Sequence, residues 1–205
     1  GAVLPSLFPR IAAILVLAAT LAAPPPAAAA DGNSLAGQLL VAAPSMPDPR
    51  FAETVIFMVR HDRTGAMGIV VNRPVGAMSL ADVLKSTGQD AQGAEGEITV
   101  HTGGPVGQEL GFLLHSTDYK TEGTIQITDR IAMSGRPEVM ADVARGAGPR
   151  LLLLAFGYAG WSAGQLEGEM TQADWFSVPA DEAIIFDDND MTKWQRAAAR
   201  RGIDL

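Results

Sequence analysis

The amino-acid sequence predicts one α+β domain with a mixed, mostly antiparallel sheet and a few short helices. Two observations carry this prediction: segments typical of strands outnumber segments typical of helices, and several strands follow one another as hairpins. Beyond residue 30 the chain has no second break in composition and no internal repeat, which indicates a single domain over residues 31–205. A doubly wound parallel sheet is disfavoured, because its strands and helices would alternate.

Residues 1–30 differ from the rest of the chain and predict an export leader. Arg10 is their only charged side chain, and the apolar run Ile11–Ala23 is shorter than the roughly 20 residues that a membrane-spanning helix needs. This run fits the hydrophobic part of a secretory signal, and Ala28–Ala30 are the small residues expected before a cleavage site at Asp31. We therefore expect an exported, periplasmic protein with no stable membrane span. The alternative is a mis-assigned start or an Ala/Pro-rich tail on a cytoplasmic protein.

The first elements of the domain are predicted to be strands, because β-branched and aromatic residues cluster in them. Gln38–Ala42 and Thr54–Arg60 are two such segments, and the prolines between them favour turns. The polar segment His61–Gly65 leads to a returning strand, Gly68–Val71, so the second and third strands predict a hairpin. Pro74 is expected to end it.

The middle of the chain mixes short helices with strands. Ser79 is a candidate N-cap, with Asp82 three residues later, and Gly103–Pro105 is a predicted turn. The predicted elements are a helix at Leu80–Lys85, strands at Ile98–His101, Gly111–His115 and Thr124–Thr128, and a helix at Pro137–Ala144.

The last third of the chain begins with a buried strand and ends in a helix. Thr192 and Gln195 are spaced as a capping box for the terminal helix, and Gly202 is its expected stop. The predicted elements are a strand at Arg150–Phe156, a helix at Gln165–Met170, a strand at Ala183–Phe186 and a helix at Thr192–Gly202.

Composition and charge exclude several classes of function. The formal net charge is −8, which counts against direct nucleic-acid binding, because that binding depends on Lys and Arg neutralising phosphates. The chain has no cysteine, so thiol nucleophiles, disulfides and thiolate metal sites are excluded. Neither a dinucleotide-binding nor a P-loop glycine pattern is present, and the sequence predicts no cofactor.

One motif suggests an enzyme. Gly160–Gly164 reads G-W-S-A-G, a G-x-S-x-G pattern between a predicted strand and a predicted helix, which is where a hydrolase places its serine nucleophile. A serine also needs a base, and the three histidines of this chain all precede Ser162, whereas α/β-hydrolases place the histidine after the serine. A glycine-rich turn is therefore the favoured interpretation, and a hydrolase that uses Ser162 is the alternative.

Other candidate chemistry has structural explanations that we favour. The histidines lack metal-ligand spacing, although His101 and His115 flank a predicted turn and could approach each other. Asp187–Asp190 resembles part of a calcium loop, but it lacks the closing glutamate and predicts a solvated turn. The basic run Lys193–Arg201 is expected to complement the C-terminal end of a helix rather than to bind nucleic acid. The sequence predicts no metal site.

Several linked motifs resemble the YqgE/AlgH family, and they occur in the family's order over about Leu35–Leu205. Ala173 departs from this pattern, since the family usually has Asn or Gly there. The matching segments are Ala43–Phe51 (APSMPDPRF), His61 followed by Gly65–Pro74 (GAMGIVVNRP), Gly103–Val106 (GGPV), and Gly157–Glu169 (GYAGWSAGQLEGE).

The resemblance implies a bifurcated, pseudo-barrel α+β fold, no established catalytic residue or cofactor, and a suggested role in transcriptional regulation linked to alginate production. It also implies a cytoplasmic location, in contrast to the predicted leader. We expect a non-enzymatic binding or regulatory module whose partner is a protein or a small molecule. If the polar residues of the motifs converge in the fold, they form its binding site: Asp48, His61, Asn72, Arg73, Gln165 and Glu167.

Overall fold

The computed structural model describes residues 33–202, and the predicted leader lies outside them. Within this range there are ten strands and five short α-helices, and 3-10 turns span Pro49–Phe51 and Asp190–Thr192. The strands are β1 Gln38–Ala42, β2 Val55–Asp62, β3 Gly65–Val70, β4 Pro74–Ser79, β5 Glu97–Thr102, β6 Val106–Ser116, β7 Ile125–Gln126, β8 Ile131–Ser134, β9 Leu152–Ser162 and β10 Trp175–Pro179. The helices are α1 Leu80–Ser86, α2 Glu138–Ala144, α3 Gln165–Thr171, α4 Glu182–Phe186 and α5 Lys193–Ala199.

Strand β9 joins the two branches of the sheet. Its first half pairs with β6 on one edge and, in parallel, with β5 on the other, so that Leu154 lies opposite both Leu113 and Val100. Its second half pairs with β3, which continues through β2 and β1 to β10. Every other pairing is antiparallel. The sheet curls into a half-barrel, and the predicted α+β class with a bifurcated sheet is confirmed.

The branching depends on glycines that let backbones approach closely. At Gly157, φ is +81°, a left-handed conformation that glycine adopts without steric cost. Gly103 and Gly104 cross β9 at this point, and a Cβ on Gly104 would lie 2.1 Å from the carbonyl carbon of Tyr158. The predicted Gly103–Pro105 turn is therefore a crossing between β5 and β6 that tolerates no side chain.

The helices cover three apolar clusters. Helices α1 and α2 pack together over Leu113 and Leu154. Leu166 of α3 joins a cluster that contains Trp161 and Trp175. Helix α5 buries Trp194 in the largest cluster, and the Trp194 indole N–H donates to the carbonyl of Ala42 at 2.9 Å. No helix among residues 33–202 is long and apolar enough to span a membrane.

The structure corrects the prediction for Ala183–Phe186, which forms helix α4 and not a strand. Its two isoleucines favour a strand by local propensity, but the Asp181 carboxylate caps a helix by accepting a hydrogen bond from Ala183 N at 2.8 Å. Ile184 and Ile185 are buried in the main cluster. Tertiary packing and the cap therefore override the β-branched composition.

Other boundaries also differ from the prediction. Pro74 was expected to end the hairpin, and it is the first residue of the next strand, β4. The strand predicted at Thr124–Thr128 is shorter and forms only β7. The strands β4, β8 and β10 were not predicted. Ser79 caps α1 as expected, accepting from Asp82 N at 3.1 Å, whereas the Thr192 side chain makes no capping hydrogen bond to α5.

Candidate functional site

A cleft of about 280 Å³ opens between the end of β5 and the segment that joins α4 to α5. The lining combines apolar side chains with ionisable groups. The lining residues are Pro74, Thr99, His101, Leu152, Leu153, Phe186, Asp187, Asp188, Asn189, Asp190 and Met191.

Local structure brings the polar residues of the cleft together. His101 lies on β5, opposite Ala155 of β9 in the parallel pairing. The turn after α4 is held by Asp187, whose carboxylate accepts from Asn189 N at 2.6 Å. Asp190 then begins a 3-10 turn and is only 7% exposed, so the predicted solvated turn is wrong at this residue.

His101, Asp190 and Lys193 form a buried ionic cluster at the floor of the cleft. His101 Nδ1 lies 3.2 Å from the carbonyl oxygen of Leu154, and Nε2 lies 3.0 Å from Asp190 Oδ2. A backbone carbonyl and a carboxylate only accept hydrogen bonds, so both bonds form only when the imidazole carries two protons. The geometry therefore favours a His101 imidazolium paired with the Asp190 carboxylate.

Lys193 is the third member of the cluster, and its side chain is fully buried. Its ammonium donates to the carbonyls of Val71 at 2.9 Å and Ile185 at 2.8 Å, and lies 2.7 Å from Asp190 Oδ1. An ammonium has three N–H donors, and these three contacts account for all of them. Burial lowers the pKa of Lys193, and the Asp190 carboxylate opposes that effect. The basic run thus begins with a buried cation, contrary to the predicted helix-end role for Lys193.

Of the six residues predicted to bind, His61, Gln165 and Glu167 lie in one region. Leu35 N donates to His61 Nδ1 at 3.0 Å, which leaves the proton of a neutral imidazole on Nε2. Nε2 then donates to Glu167 Oε1 at 2.8 Å. The pKa of Glu167 is lowered, first by its own backbone N–H and then by His61.

Gln165 belongs to a neighbouring network on α3. It donates through Nε2 to Glu169 Oε1 at 3.0 Å and accepts through Oε1 from Ser162 N at 3.1 Å. Glu169 Oε2 accepts from the indole N–H groups of Trp161 and Trp175, at 3.0 and 2.8 Å. This network fixes α3 against β9 and β10. Trp161, Gln165 and Glu169 of the G-W-x-x-G-Q-L-E-x-E segment therefore have a structural role.

Asn72 and Arg73 lie away from His61. Asn72 accepts from Val55 N at 3.0 Å, and Arg73 donates to Thr54 Oγ1 at 2.9 Å, so both hold the segment before β2. This is the opposite end of β2 from His61, roughly 20 Å away at the usual rise of a strand.

Asp48 caps the 3-10 turn that follows it and pairs with Arg50 at 2.7 Å. The Arg50 guanidinium lowers the pKa of Asp48. The six residues therefore do not form one site, because Asn72 and Arg73 lie at the opposite end of β2 from His61.

The geometry around Ser162 does not supply a nucleophile elbow. Ser162 ends β9 in an extended strand, and the left-handed residue of the turn is Gly164 at φ +76°. The Ser162 hydroxyl lies 3.3 Å from Gln165 Oε1, an amide oxygen that cannot act as a general base.

The histidines do not assemble a metal site. Among residues 33–202 no group of three or more His, Cys, Asp or Glu side chains is placed to hold a metal ion. His101 and His115 lie on β5 and β6, which β9 separates. His115 is buried, with Nδ1 2.8 Å from the carbonyl of Ser116 and Nε2 2.8 Å from Ser134 Oγ.

Asp190 and Lys193 were not predicted as partners of His101. Asp190 and Lys193 are three residues apart, a spacing that brings side chains together at the start of a helix, and this was the available signal. Nothing local pairs them with His101, which lies 89 residues before Asp190.

Comparison with known proteins agrees with the motifs and the fold. A model of the AlgH-like family matches residues 39–205. A UPF0301 protein of Rhodospirillum rubrum is 42% identical, with 83% of this chain and 88% of the relative covered. A UPF0301 protein of Methylococcus capsulatus is 44% identical, with 83% and 93% covered.

Solved structures extend the agreement to three dimensions. The solution structure of AlgH from Pseudomonas aeruginosa is similar with a TM-score of 0.70 at 40% identity, covering 85% of this chain and 92% of that one. A crystal structure of a Corynebacterium diphtheriae protein, at 20% identity and a TM-score of 0.61, shares the fold over 82% and 87% of the two chains. Since the family model and relatives above 40% identity span the described domain, this chain belongs to the AlgH-like family.

Proposed function

We propose that the protein is a non-catalytic binding module whose ligand occupies the cleft over His101 and Asp190. The observation that carries the proposal is a buried ionic cluster at the floor of a cavity with apolar walls. An apolar pocket with a few convergent polar groups is the usual form of a small-ligand site. The volume of about 280 Å³ suits a small molecule or one side chain of a protein partner.

The energetics of the cluster support a functional role. Desolvating two ions costs more than their attraction returns in many buried pairs, so a buried ion pair is a poor way to stabilise a fold. Asp190 and Lys193 are nevertheless buried together beside His101. Ionisable groups held in this way in a cleft are typical of functional sites.

The lining of the cleft supports binding over catalysis. Thr99 contributes the one hydroxyl among the described lining residues, and it is exposed on β5. Both nitrogens of His101 are already engaged by acceptors, so His101 is not free to take a proton. An oriented nucleophile with a free base is what a covalent mechanism would require.

The position of the cleft supports a regulatory role. Asp190 lines the cleft and begins the 3-10 turn that leads into α5, so a ligand that contacts Asp190 would touch the segment that positions this helix. Regulation of transcription, which the family resemblance suggests, would then act through a protein or small-molecule partner, because the net charge of −8 disfavours direct DNA contact. A periplasmic location, proposed from the leader, would place that partner outside the cytoplasm.

A cleft-filling variant tests the proposal. A fragment library is screened by ligand-observed NMR against the wild-type protein and Thr99→Trp. Thr99 is exposed and lines the cleft, so the indole fills it without disturbing the core. We expect hits to lose at least tenfold in affinity for Thr99→Trp.

The matched control is Gln126→Trp, an exposed strand position on β7 outside the cleft, which should bind as the wild type does. Hits that bind Thr99→Trp with the same affinity as the wild type would contradict the proposal. A screen without hits would also contradict it.

A further inference from the structure

We infer that His61 is a pH-sensitive latch, which holds residues 34–37 to the rest of the domain and releases them when its imidazole is protonated. This inference goes beyond the proposed binding function. It concerns a part of the molecule that does not line the cleft, so it does not depend on the cleft or its ligand.

The contact between Leu35 and His61 fixes the form of the imidazole that the fold accepts. A backbone N–H only donates, and Leu35 N lies 3.0 Å from His61 Nδ1. Nδ1 is therefore unprotonated, and the ring proton lies on Nε2, which donates to Glu167 Oε1 at 2.8 Å. A second proton on the ring would make Nδ1 a donor that faces another donor, and the bond from Leu35 would be lost.

His61 is central to the attachment of residues 34–37. Besides the bond from Leu35 N to its ring, its carbonyl accepts from the Ser34 hydroxyl at 2.9 Å. The His61 side chain is only 8% exposed, so water does not readily replace a bond that is lost here. A sheltered donor left without an acceptor costs more free energy than an average hydrogen bond contributes. Protonation of His61 therefore weakens the hold on these residues.

The charges around His61 do not reverse this effect. The ionisable side chains of the elements that pack around it are Glu167 and Glu169 of α3 and Arg60, Asp62 and Arg63 of its own hairpin, whereas β1, β3 and residues 34–37 contribute none. The Glu169 carboxylate is engaged by two indole N–H groups, and Arg60 pairs with Asp62 at 3.0 Å.

Glu167 is the carboxylate that would attract an imidazolium at position 61. Its side chain is 54% exposed, and ion pairs with such exposure contribute little to stability because water screens them. The loss of the bond from Leu35 therefore outweighs the added attraction to Glu167.

The residues held by the latch also line a groove outside the cleft. Ala36 and Gly37 contribute to a groove of about 560 Å³, which the β7–β8 turn and the start of α4 line as well. Release of residues 34–37 would change the shape of this groove, so protonation of one imidazole would alter a larger surface.

The test follows hydrogen exchange of the Leu35 amide, expressed as a protection factor so that the intrinsic pH dependence of exchange is removed. We expect protection to fall about tenfold or more from about pH 8 to about pH 5, the range in which histidine changes its charge. The pKa of Glu167 is lowered, first by its own backbone N–H and then by the bond from His61, so Glu167 stays ionised over this range. The amide of Leu40, a fully buried residue in β1, should keep its protection and shows that the domain stays folded.

His61→Asn is the matched variant. Its amide oxygen can accept from Leu35 N in place of Nδ1, and it does not titrate. We expect equal protection of Leu35 at both pH values in this variant, and low protection at both in His61→Ala, which has no acceptor. A loss of protection in His61→Asn as large as in the wild type would assign the effect to His101, His115 or another group, and would overturn the inference.

Glu167→Gln tests the opposing charge. Its amide oxygen still accepts from His61 Nε2, but it has no charge to attract an imidazolium. We expect the loss of Leu35 protection to be at least as large as in the wild type. A variant without a pH response would show that Glu167 is the sensor. Wild-type protection that stays the same at both pH values would show that there is no latch, and either result would overturn the inference.

Discussion

Lys193 begins a run of basic residues that the sequence predicted to complement the C-terminal end of a helix, yet its side chain is fully buried at the helix N-terminus. The ammonium is held there by the carbonyls of Val71 and Ile185 and by the Asp190 carboxylate. Val71 lies 122 residues earlier in the chain, so local pattern does not reveal this environment. At the scale of one residue, tertiary contacts can reverse the usual surface location of lysine.

Ala173 supports a prediction at the same scale. It has φ +61° and closes α3 in a Schellman-type turn, with Asp174 N donating to the Glu169 carbonyl at 3.1 Å. Asn and Gly tolerate the left-handed region better than alanine. We expect Ala173→Gly to raise the free energy of unfolding by roughly 0.5–1 kcal/mol, since relief of strain exceeds the added chain entropy. Urea unfolding followed by circular dichroism measures it.

The control for Ala173→Gly is Ala199→Gly. Ala199 is also exposed but lies in the last turn of α5. Glycine in a helix is destabilising by about 1 kcal/mol relative to alanine, so the two substitutions should change stability in opposite directions. A loss of stability in both would show that the backbone at residue 173 is not strained.

At the scale of elements, two helices of seven residues allow a direct comparison of caps. Ser79 Oγ accepts from Asp82 N at the start of α1, whereas Thr192 precedes α5 without a capping hydrogen bond from its side chain. Replacing a functional N-cap by alanine destabilises a protein by about 1 kcal/mol. We expect Ser79→Ala to lower the unfolding free energy by that amount and Thr192→Ala by no more than about 0.5 kcal/mol. Equal losses in denaturant titrations would disprove the difference.

Elements with strong local signals were predicted, and those fixed by distant contacts were not. The β2–β3 hairpin is confirmed, because its two β-branched runs and polar turn pair with each other. Strand β10 was missed because Trp175–Pro179 becomes a strand by pairing with β1, more than 130 residues away in sequence. Helix α4 was mistaken for a strand because its isoleucines outweighed the Asp181 cap.

The candidate site was only partly accessible to sequence reasoning for the same reason. The motifs pointed to His61 and Glu167, which the structure places in contact at 2.8 Å. They could not show that Asn72 and Arg73 hold the segment before β2 instead of joining them. His101 was considered as a metal ligand, and its pairing with Asp190 depends on how β5 and the α4–α5 segment meet. Side chains that act together in this fold come from distant parts of the chain.

For the whole molecule, the decisive feature is the exchange of neighbours along β9. Strand β5 accompanies its first half and β3 its second, and the change occurs beside Gly157. The chain crosses here at Gly103, whose N–H donates to the Phe156 carbonyl at 2.7 Å and whose own carbonyl accepts from Val70 N at 2.9 Å. Both branches of the sheet, and hence the position of His101 on β5, depend on this crossing.

Gly104→Ala tests the crossing. A Cβ on Gly104 would lie 2.1 Å from the Tyr158 carbonyl carbon and 2.2 Å from its oxygen, and φ is +151°. Backbone of β9 cannot move aside as a side-chain tip can, so we expect a loss of at least about 3 kcal/mol in unfolding free energy. Gly88→Ala is the control, since Gly88 also has positive φ, +73°, but nothing lies within 4 Å of its Cβ position. It should lose about 1 kcal/mol from backbone strain alone. Thermal unfolding that shows equal losses would mean that the two branches do not depend on close contact at Gly104.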